Sequence, residues 1–136
     1  MFRIVEKLGD EPMRFPVKPR VWFEPGMVVK VVRFGPDLVI DACDGYDAIG
    51  LAGSELYLDA NEPALDPKFM LEVWPQRMVF RTNKYDLRCP METADPLYSG
   101  WDGFLTTKKP FADATMLGRV ITPPLADRSF FEALWV

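Results

Sequence analysis

The chain contains no histidine. Histidine is the usual general base near neutral pH and the commonest metal ligand, so its absence removes Ser-His-Asp and Cys-His catalysis and every zinc site that needs an imidazole. Cysteine is nearly as scarce. Cys43, in an expected strand, and Cys89, in a loop just before Pro90, cannot build a four-thiolate zinc site and read as two free thiols. Positive charge is also short: a net charge of −4 with a pI near 4.8 argues against general nucleic-acid binding, which needs concentrated Lys and Arg. The pairs Lys18 with Arg20 and Lys108 with Lys109 are too sparse to change that reading. No stretch approaches the ~18 consecutive apolar residues of a membrane span. Met1-Phe2-Arg3 does not open a charged-then-apolar leader, so the expectation is no membrane partner, no signal peptide and synthesis in a host cytosol. Neither a P-loop nor a GxGxxG is present.

Carboxylates are the chemistry that remains. Asp41, Asp44 and Asp47 recur at three-residue intervals around Gly45, and Asp59, Glu62 and Asp66 cluster in the next loop. Neither group has the alternating acidic positions and terminal glutamate of a calcium loop, and turn-forming aspartates explain both. No pattern marks two facing carboxylates of the kind that cleave glycosides. The expectation is therefore a protein that is not an enzyme, with no catalytic residue, no metal and no cofactor.

Proline and glycine, by contrast, are abundant. Thirteen prolines and nine glycines spread along 136 residues prevent long helices and punctuate the chain as in sandwiches and barrels, which predicts an all-β fold in a chain of single-domain size. The clearest segment is PGMVVKVVRFGPDLVIDACDGYDAIGLAGSELYL, residues 25–58. MVVKVVRF and LVIDAC are separated by Gly35-Pro36-Asp37, Asp44-Gly45 makes the next turn, and AIGLA follows, with Gly50 and Gly53 permitting a bulge or a close backbone approach. This predicts a tight antiparallel meander.

Before it, FRIVEKL at 2–8 reads as a first strand, and residues 9–20, with Pro12, Pro16 and Pro19, read as an extended arm that either clasps a neighbour or packs across its own barrel. Residues 59–68 read as a loop with one helical turn at EPAL. FMLEVWPQRMVFRT at 69–82 is strand-like on both sides of Pro75, which belongs at an edge or bulge, and 83–100 reads as a surface excursion. In the last third GFLTTK echoes GMVVK, and MLGRVI echoes AIGLA, which we read as one structural solution reached twice in preference to a duplication. The chain ends on FFEALWV, whose burial requires either a last strand inside a sheet or a partner. The aromatic residues Trp22, Trp74, Trp101, Trp135, Tyr46, Tyr57, Tyr85 and Tyr98 fit a core or interface before a ligand platform.

At the glycine-led meander and its echo, in GMVVKVVRF, DACDGYDAIGLA, GFLTT and MLGRV, the sequence resembles the capsid decoration, or cement, proteins of tailed bacteriophages. The resemblance implies a small β-barrel on the outer surface of a head shell, a virion component that stabilises the lattice without catalysis. Its partners would be the major capsid protein and further copies of itself, as a homo-oligomer such as a trimer. The full expectation is an all-β chain, a small antiparallel β-barrel or sandwich with an extended Pro-rich N-terminal arm. Residues 1–25 would form the first strand and arm, and 26–136 the barrel with its excursion at 83–100. The interface expected from the arm and the apolar terminus comprises Phe15, Val17, Trp22, Phe130, Phe131, Leu134 and Trp135. Two further classes stay open: another phage structural component (tail, collar or head completion), and a carbohydrate- or peptide-binding β-module. A carboxylate-only enzyme is the outsider.

Overall fold

Two β-branched stretches, VVKVVRF and DLVIDA, fold back on each other because Gly35-Pro36 supplies a two-residue reversal, with Phe34 paired to Asp37 across it. In the computed structural model, which describes residues 1–100, 102–125 and 130–136, this is one hairpin among thirteen strands in the described residues. In chain order the strands are β1 (Phe2–Lys7), β2 (Met13–Phe15), β3 (Trp22–Phe23), β4 (Val28–Phe34), β5 (Asp37–Ala42), β6 (Ala48–Ala52), β7 (Leu56–Tyr57), β8 (Leu71–Pro75), β9 (Met78–Thr82), β10 (Pro96–Ser99), β11 (Leu105–Thr106), β12 (Gly118–Thr122) and β13 (Phe131–Trp135). Six form one antiparallel sheet in the order β1-β9-β13-β12-β10-β11, five form a second in the order β2-β8-β6-β4-β5, and β3 with β7 makes a short ribbon. The fold is all-β. It is a sandwich and not a closed barrel, because each large sheet keeps two end strands.

The packing has three layers, and adjacent residues show why. Val28 and Val29 are both fully buried, yet Val28 belongs to the core between the sheets and Val29 to a second core on the far face of the five-stranded sheet. Leu51 and Ala52 divide in the same way. Successive strand residues point to opposite faces, so a strand with neighbouring residues buried must be covered on both. The first core is closed by Phe80, Leu97, Val120, Phe131 and Trp135 of the six-stranded sheet. The second is roofed by Val17, Phe23 and Leu58, together with the half-buried Phe15, Ala60 and Ala64.

That roof decides between the two readings of residues 9–20: the stretch packs across its own sheet and does not stand out as an arm. Phe15 pairs with Leu71 at the edge of β8, and Val17 bridges Ile40 in parallel, fixed by Lys18 N–H to the Ile40 carbonyl and Ile40 N–H to the Pro16 carbonyl, both 2.9 Å. Val17 is fully buried. Within residues 1–25, β1 ends one sheet and β2 ends the other.

The terminus is buried because β13 lies between β9 and β12, inside the sheet. Phe131, Ala133 and Trp135 point into the core while Glu132 and Leu134 occupy the opposite face. Two glycines make the tightest interstrand approaches. A Cβ on Gly50 would lie 2.0 Å from the Trp74 carbonyl oxygen, and one on Gly118 would lie 1.9 Å from that of Leu134, so MLGRVI and AIGLA use glycine for the same end. Gly50 sits at a register shift between β4 and β6, and Pro75 opposite it has run past the end of β2, where its missing N–H faces no strand.

Three details differ from the sequence expectation. The helical turn falls at Pro67–Phe69, capped by the Asp66 carboxylate, and not at EPAL. The strand-like run 69–82 is split at Gln76-Arg77, so that β8 and β9 enter different sheets. The stretch 83–100 contributes Tyr85, Leu97 and Ser99 to the interior and includes β10, so it is only partly a surface excursion.

Removing the buried indole in Trp135→Ala should cost about 3–5 kcal/mol, whereas Trp22→Ala, at an exposed position, should stay within about 0.5 kcal/mol of wild type. Urea denaturation of both variants checks this, and a near-neutral Trp135→Ala would place β13 outside the core.

Candidate functional site

Two surface features of the described residues bear on function. The first is an aromatic pair on the β3–β7 ribbon. Trp22 pairs directly with Tyr57 and Phe23 with Leu56. Strand alternation buries Phe23 completely and turns Trp22 outward, 53% exposed, beside Tyr57 at 44%. Their rings lie 5.7 Å apart and tilted by 36°. The ribbon is held from below by Arg20 N–H to the Leu58 carbonyl (2.9 Å) and by Gly26 N–H to the Ala52 carbonyl (2.8 Å). At its rim the Arg20 guanidinium donates to Asn61 Oδ1 at 2.9 Å and stands 3.8 Å from Asp59. The result is a rigid, outward-facing aromatic platform.

The second is a cleft of about 600 Å³ between residues 85–88 on one wall and Gly100, Asp102, Phe104, Thr106 and 108–110 on the other. The walls are joined by Asp86 N–H to the Leu105 carbonyl (2.8 Å), by Thr107 Oγ1 to the Pro90 carbonyl (3.1 Å), and by a 3.2 Å contact between Cys89 Sγ and Thr106 Oγ1. Tyr85 forms part of the floor, its ring edge-on to Phe131 at 5.2 Å, and burial pushes its hydroxyl above the ordinary tyrosine range. Arg88 grips Asp86 with two parallel hydrogen bonds of 2.9 and 3.1 Å. The Arg88 side chain and its backbone N–H, with a weaker contribution from the Cys89 thiol, hold the Asp86 pKa down at about 2 against the opposing effect of burial.

Of the carboxylates singled out in the sequence, Asp41, Asp44, Asp59 and Asp66 are engaged elsewhere. Asp41 meets Lys18 at 3.5 Å and accepts from the Ala42 N–H, and Asp44 meets Lys30 at 2.9 Å. Asp44 Oδ1 lacks a well-directed hydrogen bond, and its contact with Lys30 is an ion pair. The Lys30 side chain lowers the Asp44 pKa against the opposing effect of burial; for Lys30 burial is the largest single influence and lowers the value, and Asp44, with Cys43 and Asp41 beside it, raises it overall. Among the described residues no cluster of three or more His, Cys, Asp or Glu is placed to hold a metal ion. Both thiols are free, with Cys43 buried.

Of the seven residues expected at an interface, the fold leaves only Trp22 strongly exposed. Val17, Phe131 and Trp135 are enclosed by the chain's own cores and offer no surface to a neighbour. Phe15, Phe130 and Leu134 are half-buried, Phe15 on the second core and Leu134 on the outer face of the six-stranded sheet. The seven are not brought together. Trp101, a candidate in the loop 98–101, lies outside the described residues. Tyr57 stood among the aromatic candidates but outside the expected interface, and the cleft was missed. The available signal was the neighbouring Lys108 and Lys109 in a chain of net negative charge.

The fold and these two surfaces define a roofed β-sandwich with an aromatic platform and a walled cleft. No family model, curated protein or solved structure matches the chain.

Because the Asp86 pKa is lower in the fold than its ordinary 3.8, its contribution to stability is complete above that value and is lost as pH falls through about 2. Carboxyl NMR should give a midpoint near 2 for Asp86 in the wild type, and Arg88→Gln should return it toward 3.8. An unchanged midpoint in the variant would contradict the assignment.

Proposed function

We propose that the chain is a virion structural protein of a tailed bacteriophage, a capsid decoration or cement protein that binds the major capsid protein and neighbouring copies of itself on the head surface. The observation that carries this reading is the Trp22–Tyr57 platform: two large aromatic side chains paired across a hydrogen-bonded ribbon and about half exposed. Support also comes from the glycine-led strands that resemble those of cement proteins, which here form β4, β6, β11 and β12. Trp and Tyr are the residues most enriched among the few that dominate interface energies. A pre-ordered pair loses little conformational freedom on docking, so more of the burial energy is retained as affinity.

The function lies in binding, and the partner supplies the cover that the platform lacks. Another structural position in the virion, in the tail, collar or head-completion region, uses the same surface and is the nearest rival. The platform also suits the face of a sugar ring, which keeps the binding-module reading as the second alternative.

The test is binding of purified protein to head shells prepared without it. Trp22→Ala with Tyr57→Ala should leave the thermal unfolding midpoint close to wild type and weaken shell binding by about thirtyfold or more, the equivalent of the ~2 kcal/mol that marks an interface hot spot. Retention of wild-type affinity by the double variant would exclude the platform. Displacement by a soluble oligosaccharide would move the reading to a carbohydrate-binding module.

A further inference from the structure

The cleft between residues 85–88 and 108–110 carries charge that the rest of the fold does not use. Asp86 is neutralised by Arg88 within one wall. On the other wall, no carboxylate of the described residues lies within ion-pair distance of Lys108 or Lys109. Lys109 instead places its ammonium 5.9 Å from the Tyr98 ring. With Asp86 and Arg88 cancelling, Lys108 and Lys109 outnumber the remaining carboxylate of the cleft, Asp102, and make a net positive rim on a molecule of net charge −4. Between the charged groups Tyr85, Leu87, Phe104 and Pro110 give the walls apolar surface. Leu87 is 76% exposed, the highest value among the large apolar side chains.

We propose that this cleft is a docking groove for an extended, acidic segment of a partner polypeptide, one that places an aliphatic or aromatic side chain against Leu87 and Phe104 and a carboxylate beside Lys108 and Lys109. Three observations select this occupant. The unpaired lysines call for negative charge. The apolar walls call for a side chain that a bare anion does not have. The groove is open: Leu87 and Arg88, on one wall, are 76% and 90% exposed. A small molecule in a dedicated pocket has most of its surface enclosed, whereas a peptide needs only alternate side chains seated and leaves the remainder outside. The walls are already cross-linked by the Asp86–Leu105 and Thr107–Pro90 hydrogen bonds, so the groove is formed before its occupant arrives. This site is separate from the Trp22–Tyr57 platform and does not rest on the virion reading.

The experiment measures binding of three fluorescein-labelled peptides to the full chain at low salt: the acidic apolar Ac-GELDFEG-NH2, its amide counterpart Ac-GQLNFQG-NH2, and the acidic but non-apolar Ac-GEADAEG-NH2. The first should bind, and the other two should bind at least about tenfold more weakly, a loss of ~1.4 kcal/mol each. Lys108→Glu with Lys109→Glu should weaken the first peptide by at least about tenfold while leaving the thermal midpoint unchanged, because both side chains are exposed. Leu87→Ser should weaken it independently. Sedimentation of the free protein is run alongside. Equal binding of the amide peptide, binding untouched by the lysine substitutions, or no binding of any peptide would overturn the proposal. So would self-association that the lysine substitutions abolish, which would make the occupant a second copy of this chain.

Discussion

The structure depends on a five-stranded antiparallel sheet that is apolar on both faces. An antiparallel sheet commonly leaves one face to water and alternates apolar with polar residues along each strand. Here Val28 and Val29, and Leu51 and Ala52, are buried as adjacent pairs. Each uncovered valine or leucine would forfeit roughly 1.5–3 kcal/mol of burial. The six-stranded sheet covers one face. The other is covered by elements too short to stand alone: the stretch through Phe15, Val17 and Phe23, the two-residue strands β3 and β7, and the loop carrying Ala60 and Ala64.

This constraint also decides which surfaces are left for function. Prolines at 12, 16 and 19 suit an extended chain, and that chain is spent on roofing the second core, where Pro16 and Lys18 bond to both backbone groups of Ile40. The apolar terminus is spent as the central strand β13. The ribbon resting on the roof is too narrow to bury both its faces, so Phe23 points in and Trp22 and Tyr57 point out. The platform is therefore a by-product of the same packing that seals the core, and its rigidity comes from what lies beneath it.

Much of the fold was legible in the residues. Gly35-Pro36 marked the β4–β5 reversal, the glycine in AIGLA marked a close approach, and Pro75 marked a place where a strand loses a partner. The apolar terminus called for either a sheet interior or a partner, and β13 supplies the first. What escaped was long-range. Adjacent buried residues in MVV and AIGLA are the signature of a sheet covered twice, but periodicity alone does not name the cover. The break at Gln76-Arg77 does not announce that β8 and β9 part into different sheets. The cleft was least legible, because its walls, residues 85–88 and 104–110, are brought together by backbone hydrogen bonds such as Asp86 N–H to Leu105 and by Thr107 to Pro90. Only Trp22 of the expected interface carries over, since apolar character marks a residue for burial without saying whether its own chain or another buries it.

The central claim is that residues 15–20 belong to the chain's own core. Native-state hydrogen exchange on the amides of Lys18, Arg20 and Ile40 addresses it most directly, since their N–H groups bond to Ile40, Leu58 and Pro16 respectively. The account predicts that all three are protected and exchange only through opening of the second core, with Lys18 and Ile40 matched in free energy. Fast exchange at Lys18 and Arg20 in an otherwise protected protein would show that this stretch lifts freely from the sheet, and would return it to the role of an arm that seeks a neighbour.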